Sequence, residues 1–278
     1  MTNIQAFTSI NVDTSKFGFS VSVNGDGNII AISNPDHNGS TTEDDKSGCV
    51  RILFWNGSEF IPFGEILGTN SRNTSGITGV HTFGASISLD DSGKKIIISD
   101  GNLVRVFIYT QGSWLPAQTF TIAEDTDTTV ANVLHVDMAS DGDEFSVTFA
   151  INQTNTTDVT FDRYICFYKY VEFNEDGEFQ GTYEKIATSN ITNELFAPLS
   201  SRYGMFALKD SFNQLDSNLG NGYRQLGTSF SRPALDAALS ANGTVVALVY
   251  NDNPIADGTW PQGIFSGRQI KVYQRTNV

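Results

Sequence analysis

Basic charge is scarce in this chain. Lys and Arg total 17 against 31 Asp and Glu, for a formal net charge of −14 over 278 residues. Binding to phosphate backbones or anionic lipid needs clustered Lys and Arg, and no such cluster occurs, which excludes nucleic acid as a partner. No apolar run approaches the ~18 residues of a membrane span, so no membrane insertion or transmembrane segment is expected. Cysteine is rarer still. Cys49 and Cys166 stand far apart with no second Cys near either, which excludes a disulfide framework and a Cys-based zinc motif, and both are expected to be buried thiols. The three histidines, His37, His81 and His135, have no Cys or acid at ligand spacing along the chain and read as isolated polar residues. No Gly-x-Ser-x-Gly and no P-loop appears. The first residues, Met1 to Gln5, carry neither a basic region nor a long apolar stretch, so no signal peptide is expected. Asn-x-Ser/Thr sequons at Asn38, Asn56, Asn73, Asn152, Asn155, Asn190 and Asn242 read as products of an Asn- and Thr-rich composition.

What the chain does contain is short alternating apolar runs of five to eight residues, separated by Gly, Asn and Asp turns, with no long helical periodicity. That pattern predicts an all-β protein. The runs form a degenerate repeat. One copy reads FGFSVSVNGDGNIIAISNP and, after a polar loop, GCVRILFWNGSEFIPFGEILG; a second, from Phe83, reads FGASISLDDSGKKIIISDG and then NLVRVFIYTQGSWLPAQTFTI. Each predicts four strands. A first strand leaves Phe-Gly, turns at Asp26-Gly27 or Ser92-Gly93, and continues in an apolar second strand at 29–32 or 96–98. Third strands are expected at 50–54 and 104–108, and fourth strands at 60–66 and 114–122. Asp-Gly and Asn-Gly supply the positive φ of two-residue hairpin turns. The uniformly apolar second strand suits a position covered on both faces.

Three weaker copies follow. The third has strands at 133–138, 145–151, 163–170 and 183–187. The fourth has 195–199, 203–208, an unassigned middle and 223–230. The fifth has 234–239, 245–250 and 269–273, and stops after its third strand. A strand at 4–10 precedes the first Phe-Gly and resembles the fourth strands. This phase shift predicts a single propeller domain over 1–278, of about five blades, closed by pairing the N-terminal strand into the last blade, which removes free sheet edges. The expected blades are 13–67, 81–122, 130–190, 194–230, and 231–278 with 1–12.

The pattern Phe-Gly-x-Ser-Val-Ser, Asp-Gly, an apolar strand, Asn-Pro and Gly-x-Val-Arg-Ile resembles FG-GAP-like propeller repeats. These are distantly related to the integrin α-chain head and are of the kind found in proteins of large DNA viruses, marine phages and protists. The resemblance covers residues 17–122 best, 228–278 with 1–12 less well, and little between. It implies a propeller and suggests a virion surface or minor structural component, in a virion or inside a cell. It also implies calcium loops of Asp-x-Asp/Asn-x-Asp type. The matching candidates here are Asn34, Asp36 and Asn38, with Asp252 and Asp257 in the fifth copy; oxygen ligands at alternate positions suit a hard cation.

No cofactor other than this possible calcium is implied. Five-bladed glycosidases need a carboxylate pair around the channel, but Asp26, Asp90, Asp91, Asp141, Asp143 and Asp176 all fall in turns or loops, where a turn explains an Asp. Residues 88–93, though reminiscent of an Asp-box, read as a hairpin turn. No catalytic residue is assigned. The remaining candidates are ring side chains that stack on sugars or fill interfaces: Trp260, Trp55, Trp114 and Tyr223. Trp260 lies in a Gly/Pro-rich loop, whereas packing between sheets competes with a binding role for the others. The expectation is a non-enzymatic binding or structural module whose partner is a protein neighbour or a host glycan. Alternatives are a calcium-dependent lectin and, behind it, a glycoside hydrolase.

Overall fold

The computed structural model describes residues 17–38, 46–69, 83–122, 131–152, 161–175, 178–190, 205–208, 211–215, 223–226, 236–239, 245–251 and 268–274, the last six segments through their backbone. All regular structure among them is β, in antiparallel sheets whose strands follow chain order. The first sheet comprises β1 (Val21–Val23), β2 (Ile29–Asn34), β3 (Cys49–Trp55) and β4 (Phe60–Leu67). The second comprises β5 (Ile87–Leu89), β6 (Lys95–Asp100), β7 (Leu103–Thr110) and β8 (Ser113–Thr121). The third comprises β9 (Ala131–Met138), β10 (Glu144–Asn152), β11 (Phe161–Glu175) and β12 (Glu178–Asn190). The last strands of that sheet are longer than expected. Pairing runs out to Glu175 opposite Glu178, beyond the reach of the apolar pattern.

Two three-stranded sheets follow: β13 (Met205–Leu208), β14 (Ser211–Leu215) and β15 (Tyr223–Leu226), then β16 (Asp236–Leu239), β17 (Val245–Asn251) and β18 (Arg268–Gln274). The middle of the fourth copy, left unassigned by pattern, holds β14, whose alternation is masked by its polar neighbours. Among the described residues β13 edges its sheet and lies beside β16, as β5 lies beside β1 and β9. That is the inner-strand position, so the segment expected to form a second strand takes the first place. The expected strand at 195–199 lies outside the described residues, as does the N-terminal strand at 4–10.

The three four-stranded sheets share one register. Ile32 pairs with Arg51 and Arg51 with Glu65; Ile98 pairs with Arg105 and Arg105 with Thr119; Val147 pairs with Cys166 and Cys166 with Thr188. One residue later, each sheet has a bulge between its third and fourth strands, at Ile52/Leu53, Val106/Phe107 and Phe167/Tyr168. Pro62 and Pro116 occupy equivalent sites just past that bulge, on outer strands where a missing N–H costs no ladder bond.

Successive sheets bury their faces against each other. Val50, Ile52, Ile66, Phe83, Ile87, Leu89, Ile96 and Ile98 form one core between the first and second sheets. Ile97, Val104, Val106, Val136, Phe145, Val147 and Tyr168 form the next. The Phe-Gly motif sits in the first join. Phe83 is fully buried, a side chain whose removal from water is worth about 2–3 kcal/mol. Gly84 takes φ +86°, and a Cβ there would crowd the Ser33 side chain at 3.0 Å.

Candidate functional site

The polar groups of the inner strands are arranged as a column that crosses the sheet joins. Ser20 Oγ accepts the Ile87 N–H at 3.3 Å and Ser22 Oγ accepts the Leu89 N–H at 2.9 Å. The next join repeats this pattern: Ser86 Oγ accepts the Val136 N–H at 3.1 Å and Ser88 Oγ accepts the Met138 N–H at 3.0 Å. Each inner strand would otherwise present unpaired N–H groups along its edge. Within a sheet, Ser33 and Ser99 Oγ accept the Ser20 and Ser86 N–H groups at 2.9 and 2.8 Å. In the third sheet His135 and Asp137 take the places of the two serines. His135 Nδ1 lies 3.3 Å from Ser86 Oγ, and the Ser88 hydroxyl donates to Asp137 at 3.2 Å. The hairpin turns are linked in the same order, with Gly25 N–H donating to Asp91 O and Asp91 N–H to Ser140 O.

The turn aspartates behave as turns. Asp90 Oδ1 accepts from the Lys94 and Lys95 N–H groups, both at 2.9 Å, and Asn24 Oδ1 does the same for Asn28 and Ile29. Residues 88–93 are thus a hairpin turn, as expected. Asp100, at the end of β6, is buried and lies 2.7 Å from Arg105. Burial pushes its carboxyl up, opposed by the Arg105 charge and hydrogen bond. Burial also pushes up Glu144, opposed by Lys169, and the hydroxyl of Tyr183, which donates to the Gly142 carbonyl.

The ring candidates separate. Trp114 is packed at the outer join of the first two sheets against Phe63 and Tyr109, with ring centroids 6.5 and 5.5 Å away. It lies over Gly64, where a Cβ would overlap its ring. It is inter-sheet packing, not an open stacking platform. Trp55 is half-buried at the end of β3, with Phe60 at 5.1 Å. Tyr223 is on β15, where only the backbone is described. Trp260, Asp252 and Asp257 lie outside the described residues. Of the calcium candidates, Asn34 ends β2 and is buried, Asp36 is buried in the turn that follows, and Asn38 Oδ1 accepts the Lys46 N–H at 3.3 Å.

Cys49 and Cys166 are both buried and outside any disulfide. Cys166 Sγ lies 3.1 Å from Thr188 Oγ1. The isolation expected of His37 is overturned. A ring nitrogen of His37, the Cys49 sulfur and a Glu65 carboxylate oxygen all lie within 4.8 Å of one another. Spacing along the chain hid this group, because its members come from the turn after β2, the start of β3 and the middle of β4.

No protein-family model and no curated protein matches the chain. Similar solved structures include the Pseudomonas aeruginosa periplasmic gluconolactonase PpgL, at 10% identity and TM-score 0.38 over 90% of this chain and 87% of that one. The Neurospora crassa Pan2 WD40 domain aligns at 10% identity and TM-score 0.44, over 82% of this chain and 58% of that one. A functionally unknown protein from Desulfotomaculum acetoxidans aligns at 8% and 0.47, over 84% and 62%. Likeness at this level carries no conclusion about activity. Among the described residues no helix is long and apolar enough to cross a membrane.

Proposed function

We propose that the chain is a five-bladed propeller that acts as a non-enzymatic binding module. The observation that carries this reading is the serine column. The hydroxyls nearest the inner edges, Ser20, Ser22, Ser86 and Ser88, are committed to accepting N–H groups of the next sheet. Inner-strand polarity of this kind serves scaffold assembly, and recognition falls to the loops that the scaffold holds. Ring closure is supported by the exposed face of the first sheet. Phe19, Val21 and Val23 are 53%, 54% and 50% exposed, whereas Ile87 and Leu89, at the same places as Val21 and Val23, are buried. The fifth sheet is the occupant that closure assigns to that face. Val21→Asp should then destabilise as severely as Ile87→Asp; an unchanged melting temperature would leave the ring open.

The partner class is a protein neighbour or a surface glycan. What supports a virion setting is the repeat resemblance alone. The test is a glycan-array screen of the folded chain, with calcium and with chelator, beside a panel of lactone and aryl-glycoside substrates. Saturable binding without turnover supports the module, and loss under chelator brings calcium into it. A clean negative on glycans moves the partner to protein. Turnover of any substrate overturns the non-enzymatic reading.

A further inference from the structure

We propose that His37, Cys49 and Glu65 form a zinc site in the first sheet. Thiolate, imidazole and carboxylate are the three ligand types zinc takes, and three protein ligands leave the fourth tetrahedral position open. The three donors already lie within 4.8 Å of one another. Tetrahedral bonds of about 2.0–2.3 Å place ligand atoms roughly 3.5 Å apart, so closure on the ion needs side-chain shifts of about 1 Å.

Two further observations point to a ligand here. The Nδ1 atom of His37 is buried with no hydrogen-bond partner, and a buried polar atom left so costs about 1–3 kcal/mol unless something satisfies it. The group is also held on rigid elements. Gly48, at φ +82°, donates its N–H to the His37 carbonyl at 2.9 Å, and its own carbonyl accepts the Gly68 N–H at 2.9 Å. Cys49 follows directly and pairs with Asn34 on one side and Leu67 on the other. Backbone bonds therefore fix the approach of the imidazole, the sulfur and the β4 carboxylate before any ion arrives.

The electrostatics are consistent. Zinc displaces the thiol proton to solvent, and thiolate plus carboxylate then balance the dication. Arg51 Nε lies 2.9 Å from Glu65 Oε1, so the guanidinium orients the carboxylate, as outer partners orient ligating carboxylates. A sulfur ligand selects zinc over calcium or magnesium, so this site differs from the alternate-oxygen calcium loop in both residues and ion.

The test is cobalt(II) titration of the full chain after metal is stripped with chelator. One equivalent should produce a sulfur-to-cobalt charge-transfer absorption, zinc should bleach it, and zinc should raise the melting temperature. Cys49→Ser should abolish the absorption and Cys166→Ser should retain it. Glu65→Gln should weaken affinity by at least about tenfold. If Cys49→Ser fails to fold, His37→Ala, at a half-buried position, carries the same test. No absorption from folded wild-type chain, absorption that survives in folded Cys49→Ser or in His37→Ala, or its loss in folded Cys166→Ser, would overturn the site.

Discussion

Ser86 Oγ accepts the N–H of Val136 at 3.1 Å, across the join between the second and third sheets. The equivalent bond from Ile87 to Ser20 spans the join before it. A buried N–H that loses its acceptor costs about 1–3 kcal/mol. Ser86→Ala and Ser88→Ala should each lower stability by about that much, and the double variant by more. Ser92→Ala, in an exposed turn, is the comparison. Urea midpoints check this. Variants indistinguishable from wild type would mean that the column does not hold the sheets together.

Gly48 tests how tightly the first two sheets meet. Its φ is +82°, and a Cβ would strike the Phe83 carbonyl oxygen. Gly27 has φ +70° with open space where its Cβ would point. Left-handed backbone alone costs a non-glycine residue about 1–2 kcal/mol. Gly27→Ala should lose about that amount and Gly48→Ala distinctly more, as read by thermal unfolding. Equal losses would place the strain in the backbone alone.

Asp100 and Glu144 should favour the folded state in acid. Burial raises Glu144 above its ordinary 4.5 and Asp100 above 3.8, each opposed by its cationic partner. For a raised carboxyl the folded state holds the proton where the unfolded chain has lost it. The stabilising contribution is therefore complete below the ordinary value and disappears as pH rises through the raised one. Stability from these two groups should decline as pH rises from their ordinary values, 3.8 and 4.5, through their raised ones. Glu144→Gln should flatten part of that decline and match or exceed the wild-type melting temperature at neutral pH, since the Lys169 partner is half-exposed and the lost pair is worth little. A melting temperature lowered equally at every pH would refute it.

Trp114 should behave as a core residue. Trp114→Ala should lower stability by up to about 3 kcal/mol, as read by urea unfolding. A Trp114 that served as a stacking platform would instead lose binding at unchanged melting temperature.

The strands of the first three sheets were legible because their information is local. Period-two alternation, Asp-Gly turns and the apolar second strands place Ile29–Asn34 and Lys95–Asp100 within a residue or two of expectation. The paired Phe-Gly-x-Ser-x-Ser copies stand out in the sequence as a repeat, but nothing in them showed that their hydroxyls bond across the joins. In the fourth sheet the polar Asn213 and Gln214 hid β14, because a short strand gives periodicity too few apolar positions to work with.

Relationships between strands belong to the tertiary structure. The recurring bulge after Arg51, Arg105 and Cys166 depends on register, which no single strand encodes. Trp114 was ambiguous until Gly64 was seen to receive its ring from another sheet. His37, Cys49 and Glu65 stand 12 and 16 residues apart in sequence and meet because the antiparallel pairing of β2, β3 and β4 brings the turn after β2 beside the start of β3 and Glu65. Local chemistry determined the strands and turns of this protein. Which side chains became neighbours was decided by pairing and stacking, since contact across a sheet depends on register and burial rather than on distance along the chain.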